Sequence, residues 1–129
     1  MALQLIQPHD QYMLKRDVID RRAVLGHLRS VLNAFASKPE YSKFYVGITG
    51  DVEARLLKHQ RHRPDFRLLV PIYEEEEILH EDSFDGLERT AIREFREGIR
   101  HPVTRDVLLR CDNGPGGALP KRTLYILVG

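Results

Sequence analysis

The 129-residue chain has a single cysteine, Cys111, so no disulfide can form within it. A lone thiol fits a reducing compartment. No apolar run approaches the roughly 20 residues that a membrane-spanning helix needs, and no membrane association is expected. The opening stretch, MALQLIQPHD, has neither the basic start nor the long apolar centre of a secretory signal. These absences together lead us to expect an intracellular, cytoplasmic protein. There is no excess of charge of one sign either, the formal net charge being +1. Proteins that neutralise several phosphates commonly carry a basic surface, so the overall charge does not announce a nucleic-acid partner. Internal repeats and low-complexity linkers are missing, which predicts one domain spanning 1–129, with 1–40 as an N-terminal helical extension packed on it.

Several catalytic signatures are absent as well. Histidines 59, 62 and 80 do not form a His-Glu-x-x-His site, and one cysteine excludes a cysteine-rich zinc centre. There is no G-x-S-x-G elbow, and Cys111 has no activating base evident in the sequence. The glycine-rich NGPGG (113–117) lacks the lysine–hydroxyl pair of a P-loop and leads into a strand.

What is present is an ordinary soluble composition, 42% apolar and 30% charged, with its charges segregated locally. KHQRHRPDFR (58–67) is basic and EEEEILHED (74–82) is acidic. This permits a nucleic-acid face, or equally two solvated stretches. Residues 2–6 read as a short strand ended by Pro8. Val24, Leu28, Val31, Leu32 and Phe35 follow helical spacing, with Pro39 limiting any continuation. KFYVGIT (43–49) reads as a strand, Gly50 and Asp51 as a turn, and DVEARLLKHQR as a helix with Asp51 near its N-cap. FRLLVPIYE (66–74) is a second strand, where Pro71 marks an edge or a bulge. DGLERTAIREFREG (85–98) is a helix with Leu87, Ala91, Ile92 and Phe95 on one stripe and Gly98 as C-cap. RTLYILVG (122–129) is a final strand. This order of elements implies an α+β fold, with helices packed on a small mixed sheet.

The chemistry concentrates at 45–59. Alternation puts Phe44, Val46 and Ile48 on one face of the strand and Tyr45, Gly47 and Thr49 on the other. In the following helix Val52 and Leu56 are core-like, and Arg55 and His59 form an i, i+4 pair along the edge of that stripe. YVGITGDVEARLLKH resembles the second half of the GIY-YIG nuclease motif. Its tyrosine, glycine, threonine, aspartate, arginine and histidine fall at the family's relative spacing.

The resemblance implies a small, mainly antiparallel sheet flanked by helices, and cleavage of DNA phosphodiester bonds with Mg²⁺ or Mn²⁺. It further implies a metal-binding glutamate in a downstream helix. Glu88 fits, sharing a stripe with Ala91, Ile92 and Phe95; as N3 after Asp85 it would equally complete a capping box. A late asparagine of the family corresponds to Asn113, a residue that any turn also accommodates. The family's tyrosine-bearing first strand does not precede YVG. TLYILVG at the far end has its character, which suggests a circularly permuted domain with Tyr125 beside Tyr45; Tyr41 is the alternative.

Arg55 would then grip the phosphate, Tyr45 or Tyr125 would orient or deprotonate the attacking water, and Glu88 would hold the metal. His59 would hydrogen-bond the tyrosine or accept its proton, unless it is a surface residue beside Lys58. The expected function is a divalent-metal-dependent endonuclease, with a dimer or protein partner supplying specificity. A catalytically inactive module of the same fold, binding nucleic acid or a protein, is the alternative.

Overall fold

The computed structural model describes residues 3–8, 10–14, 21–74, 90–113 and 123–129. In chain order its elements are β1 (Gln4–Leu5), α1 (Arg21–Ala36), β2 (Lys43–Thr49), α2 (Val52–His62), β3 (Leu68–Glu74), β4 (Ile99–Arg100), β5 (Val107–Cys111) and β6 (Thr123–Val128). Residues 90–95 are also helical. Glu88 and most of the acidic stretch at 74–82 lie outside the described residues.

The strands form one mixed sheet in the order β1-β3-β6-β2-β5-β4. The fold is α+β, and the sheet is a six-stranded mixed one, larger than the small sheet that the resemblance implies, although its longest pairings are antiparallel. β6 is antiparallel to both β2 and β3, and β4 to β5, whereas β1–β3 and β2–β5 are parallel. Parallel neighbours require the chain to cross over before pairing again, and here α1, β2 and α2 lie between β1 and β3, and α2, β3 and β4 between β2 and β5. The pair β4–β5 widens the sheet beyond the strands that the sequence pattern announces.

The sheet separates two apolar clusters. On one side Val24, Leu28, Val31, Leu32 and Phe35 of α1, the stripe read from the sequence, pack with Phe44, Val46, Ile48, Ile126 and Val128. Ala91, Ile92 and Phe95 join them there, and Gly98 ends that helical segment at φ +75. On the other side Leu3, Phe66, Leu69, Tyr125 and Leu127 form a smaller cluster, with Leu5, Tyr45, Val52 and Leu56 packed against it. Every residue of β6 is buried, because the strand has a neighbour on both edges and a cluster on both faces.

Pro71 lies past the two residues that pair with β1, at a point where the register with β6 shifts. The missing N–H therefore falls at a bulge rather than within a continuous ladder. β3 is not an edge strand. No helix among the described residues is long and apolar enough to cross a membrane.

Candidate functional site

β2 and β6 run antiparallel in continuous register from Phe44↔Val128 to Thr49↔Thr123, and Gly47 stands opposite Tyr125. Directly opposed residues point to the same face, so the missing side chain at 47 leaves room for the Tyr125 ring. A Cβ built at residue 47 would overlap the hydroxyl and ring of Tyr125. The glycine of the motif is thus required by its cross-strand partner and not by backbone conformation.

Over this face lies α2. Asp51 caps it, in an extended conformation, with its carboxylate accepting from the Ala54 N–H at 3.1 Å. The Thr49 hydroxyl accepts from the Asp51 N–H and donates to the Asp51 carbonyl, which ties the strand end to the helix start. From there Val52, Leu56 and His59 recur at helical spacing and turn inward. His59 is therefore inside the stripe, 6% exposed, and not at its edge or on the surface beside Lys58.

The Tyr125 hydroxyl and His59 Nε2 share a 2.7 Å hydrogen bond, whose direction follows the imidazole tautomer. Tyr125 is only 1% exposed. Tyr45 meets the same imidazole edge-on, its ring centre 5.5 Å away, and is half-buried. Arg63, one turn beyond His59, stacks its guanidinium over Tyr45 at 4.2 Å from the ring centre. A cation over a phenol face is favourable through the ring quadrupole. Burial first, and then the charges of Arg55, Arg63, Lys58 and His62, lower the His59 pKa to about 4. The imidazole is consequently neutral at pH 7, able to donate from one nitrogen and accept at the other.

The structure brings Tyr45, His59 and Tyr125 into one contiguous group and sets Arg55 a turn away on α2. Arg55 lines a cleft of about 330 Å³ with Thr49, Gly50, Asp51, Ala54 and Lys58. Tyr41 is not part of the group. It lies edge-on to Phe35 at 5.1 Å, against the α1 cluster, with Arg67 over its ring. Arg63 is the member that the motif does not flag, although spacing of four residues from His59 is a signal that points to it.

Asn113 has a different task. Its Oδ1 accepts from the Val46 N–H and its Nδ2 donates to the Val46 carbonyl, both at 2.8 Å. The preceding N–H, of Asp112, donates to the Phe44 carbonyl. The carboxamide thereby continues the β5 ladder against β2 for one more residue, in place of a peptide group. Glu88, the expected metal ligand, lies outside the described residues. Among the described residues no group of three His, Cys, Asp or Glu side chains comes together.

Compared with family models, curated proteins and solved structures, the chain has no significant match.

Proposed function

We propose that the protein is a divalent-metal-dependent endonuclease acting on DNA, a circularly permuted domain of the GIY-YIG kind. The observation that carries the reading is the strand pair β2–β6. It joins LYI at the chain's end to YVG in its middle, with Tyr125 against Gly47 and its hydroxyl on His59. Sequence spacing alone did not require that these distant segments meet.

In this reading the two phenols take separate tasks. Tyr125 is enclosed and its hydroxyl is engaged with His59, so it fixes the imidazole. Tyr45 is the phenol with solvent access, and its ring is held between His59 and Arg63. It orients the attacking water. Arg55, in the open cleft at the start of α2, presents a planar fork of donors to the phosphate. The basic run around it, with Lys58, Arg61, His62 and Arg63, favours the approach of a polyanion.

A single glutamate such as Glu88 is a donor set that suits Mg²⁺, which keeps several waters and completes its shell with substrate phosphate. Bound there, the metal would supply charge stabilisation and help for the leaving oxygen. The proposal places DNA as the partner and the cytoplasm as the setting.

Supercoiled plasmid incubated with the protein and Mg²⁺ or Mn²⁺ tests the reading. Nicking is expected, with losses of 10²-fold or more in Arg55→Ala and Glu88→Ala. No nicking at high protein concentration, or nicking unchanged in Glu88→Ala, would refute it. One observation favours the alternative of a module that binds DNA without cutting it: Tyr125 and His59 are closed off from solvent, at 1% and 6% exposure. That reading expects a mobility shift of DNA that Arg55→Ala weakens, with no nicking under any metal.

A further inference from the structure

A second basic site lies on the opposite side of the sheet. A cleft of about 410 Å³ is lined by Arg29 and Asn33 of α1, Glu97 and Gly98, Ile99 and Arg100 of β4, and Arg105. Three arginines, from α1, β4 and the turn before β5, thus line one cleft with a single acidic residue, Glu97. α1 packs on the cluster containing Val46 and Ile126, whereas Tyr45 and Tyr125 belong to the other. This cleft is therefore distinct from the candidate nuclease site.

Two of the guanidiniums are held in place by their surroundings. Arg29 donates to Glu94 at 3.1 Å and lies over the Phe95 ring at 4.9 Å. Arg100 donates to the Arg105 carbonyl at 3.1 Å and stands 3.7 Å from the Glu97 carboxylate. With five donors per guanidinium, both keep N–H groups to spare. Arg105 is the unusual one. Its backbone is left-handed, with φ 64, a region that long side chains enter rarely and at a cost.

The turn around Arg105 sustains that conformation. His101 Nδ1 accepts from the N–H groups of Val103 and Thr104, and the Thr104 hydroxyl accepts from Asp106 N–H. The Arg105 N–H donates to the His101 carbonyl, and the His101 N–H to that of Asp106. Among the described residues the Arg105 side chain has no acceptor. A glycine would suit this backbone better, yet an arginine stands here on the wall of the cleft. With three arginines and one glutamate on its walls, the cleft has a net positive lining that favours an anion.

We propose that this cleft binds a phosphate group, through Arg29, Arg100 and Arg105 acting as planar forks and Asn33 as a neutral donor. The proposal does not depend on the nuclease reading. Two sources present this chemistry: free phosphate, including phosphomonoesters, and the phosphodiester backbone of nucleic acid.

The test uses the full chain in EDTA, so that no cutting intervenes, with arginine Nε–Hε signals followed by NMR. One arm titrates inorganic phosphate and the other a 12-nucleotide DNA. The Arg29, Arg100 and Arg105 signals are expected to move saturably in at least one arm. Movement in both assigns the phosphate group itself as the ligand; movement with DNA alone assigns the backbone. Arg105→Gly, which fits the left-handed backbone, should keep or raise the Tm and weaken that binding by about 5–10-fold. Arg105→Lys, with charge but no fork, should fall between. Signals unmoved in both arms, or affinities within twofold in Arg105→Gly, would overturn the proposal. Nicking is read in a separate assay with metal present, so its loss or retention in Glu88→Ala supports or refutes the nuclease reading without altering these outcomes.

Discussion

His59 is the residue at which fold and chemistry compete. Placing an imidazole in a sealed contact between two tyrosines keeps it neutral down to about pH 4, whereas an unfolded chain protonates it near 6.5. Between those values the unfolded state binds more protons, so stability falls as pH drops from about 6.5 to about 4. The slope from this group reaches at most about 1.4 kcal/mol per pH unit. Urea unfolding of wild type and His59→Gln at several pH values should show that contribution as a difference between the two, because glutamine does not titrate. Parallel pH profiles would refute it. Gly47 is the complementary case. Gly47→Ala drives a methyl into the Tyr125 ring and should destabilise by about 1–3 kcal/mol. Tyr125→Leu in the same chain should recover part of that loss, since the overlap involves ring atoms as well as the hydroxyl. A double-mutant cycle without coupling would argue against this contact.

At the level of elements, α1 and α2 were legible because their signals are local. A 3.6-residue apolar stripe marks each helix, and the aspartate N-cap Asp51 marks the start of α2, without distant information. Asp51→Ala should cost about 1 kcal/mol, read from thermal or urea melts. The pair β4–β5 was not legible. Each strand is short, and VLLRC alternates weakly, with Val107 exposed and Leu109 buried. What fixes β5 against β2 lies partly in a side chain, the Asn113 amide standing in for a peptide. Read as a turn residue, Asn113 gives no hint of this, since its partner is 67 positions away. Asn113→Asp replaces the Nδ2 donor by an acceptor beside the Val46 carbonyl and should cost about 1–3 kcal/mol. Hydrogen exchange at Val46 should accelerate in the variant; unchanged protection would contradict the ladder role.

On the scale of the whole molecule, the last strand is the keystone of the sheet. β6 separates β2 from β3 and lends residues to both clusters, so its removal exposes the core on both faces. Truncation after residue 122 should abolish cooperative unfolding and the dispersion of amide resonances. Retention of either would mean that β2 and β3 close the sheet without it. The sheet also separates the two candidate sites: the tyrosine–histidine group lies under α2, and the arginine cleft lies on the α1 side. Residues 90–95, which follow Glu88, pack with the α1 cluster through Ala91, Ile92 and Phe95. Crosslinking or metal-induced relaxation that reports the distance from Glu88 to Tyr45 would therefore test the metal assignment directly.

By itself the sequence determined the α+β class, the apolar stripes of both helices, the strand carrying Tyr45, and the placing of Arg55 and His59 one turn apart on α2. All of these arise from spacing within a few turns of chain, where the backbone fixes who neighbours whom. Tertiary structure alone decided the rest. It chose Tyr125 over Tyr41 as the partner of His59, drew His59 inward, and put Arg63 on Tyr45. It also gathered Arg29, Arg100 and Arg105 around one cleft. Those relations depend on the register between strands far apart in sequence, and no local periodicity encodes that register.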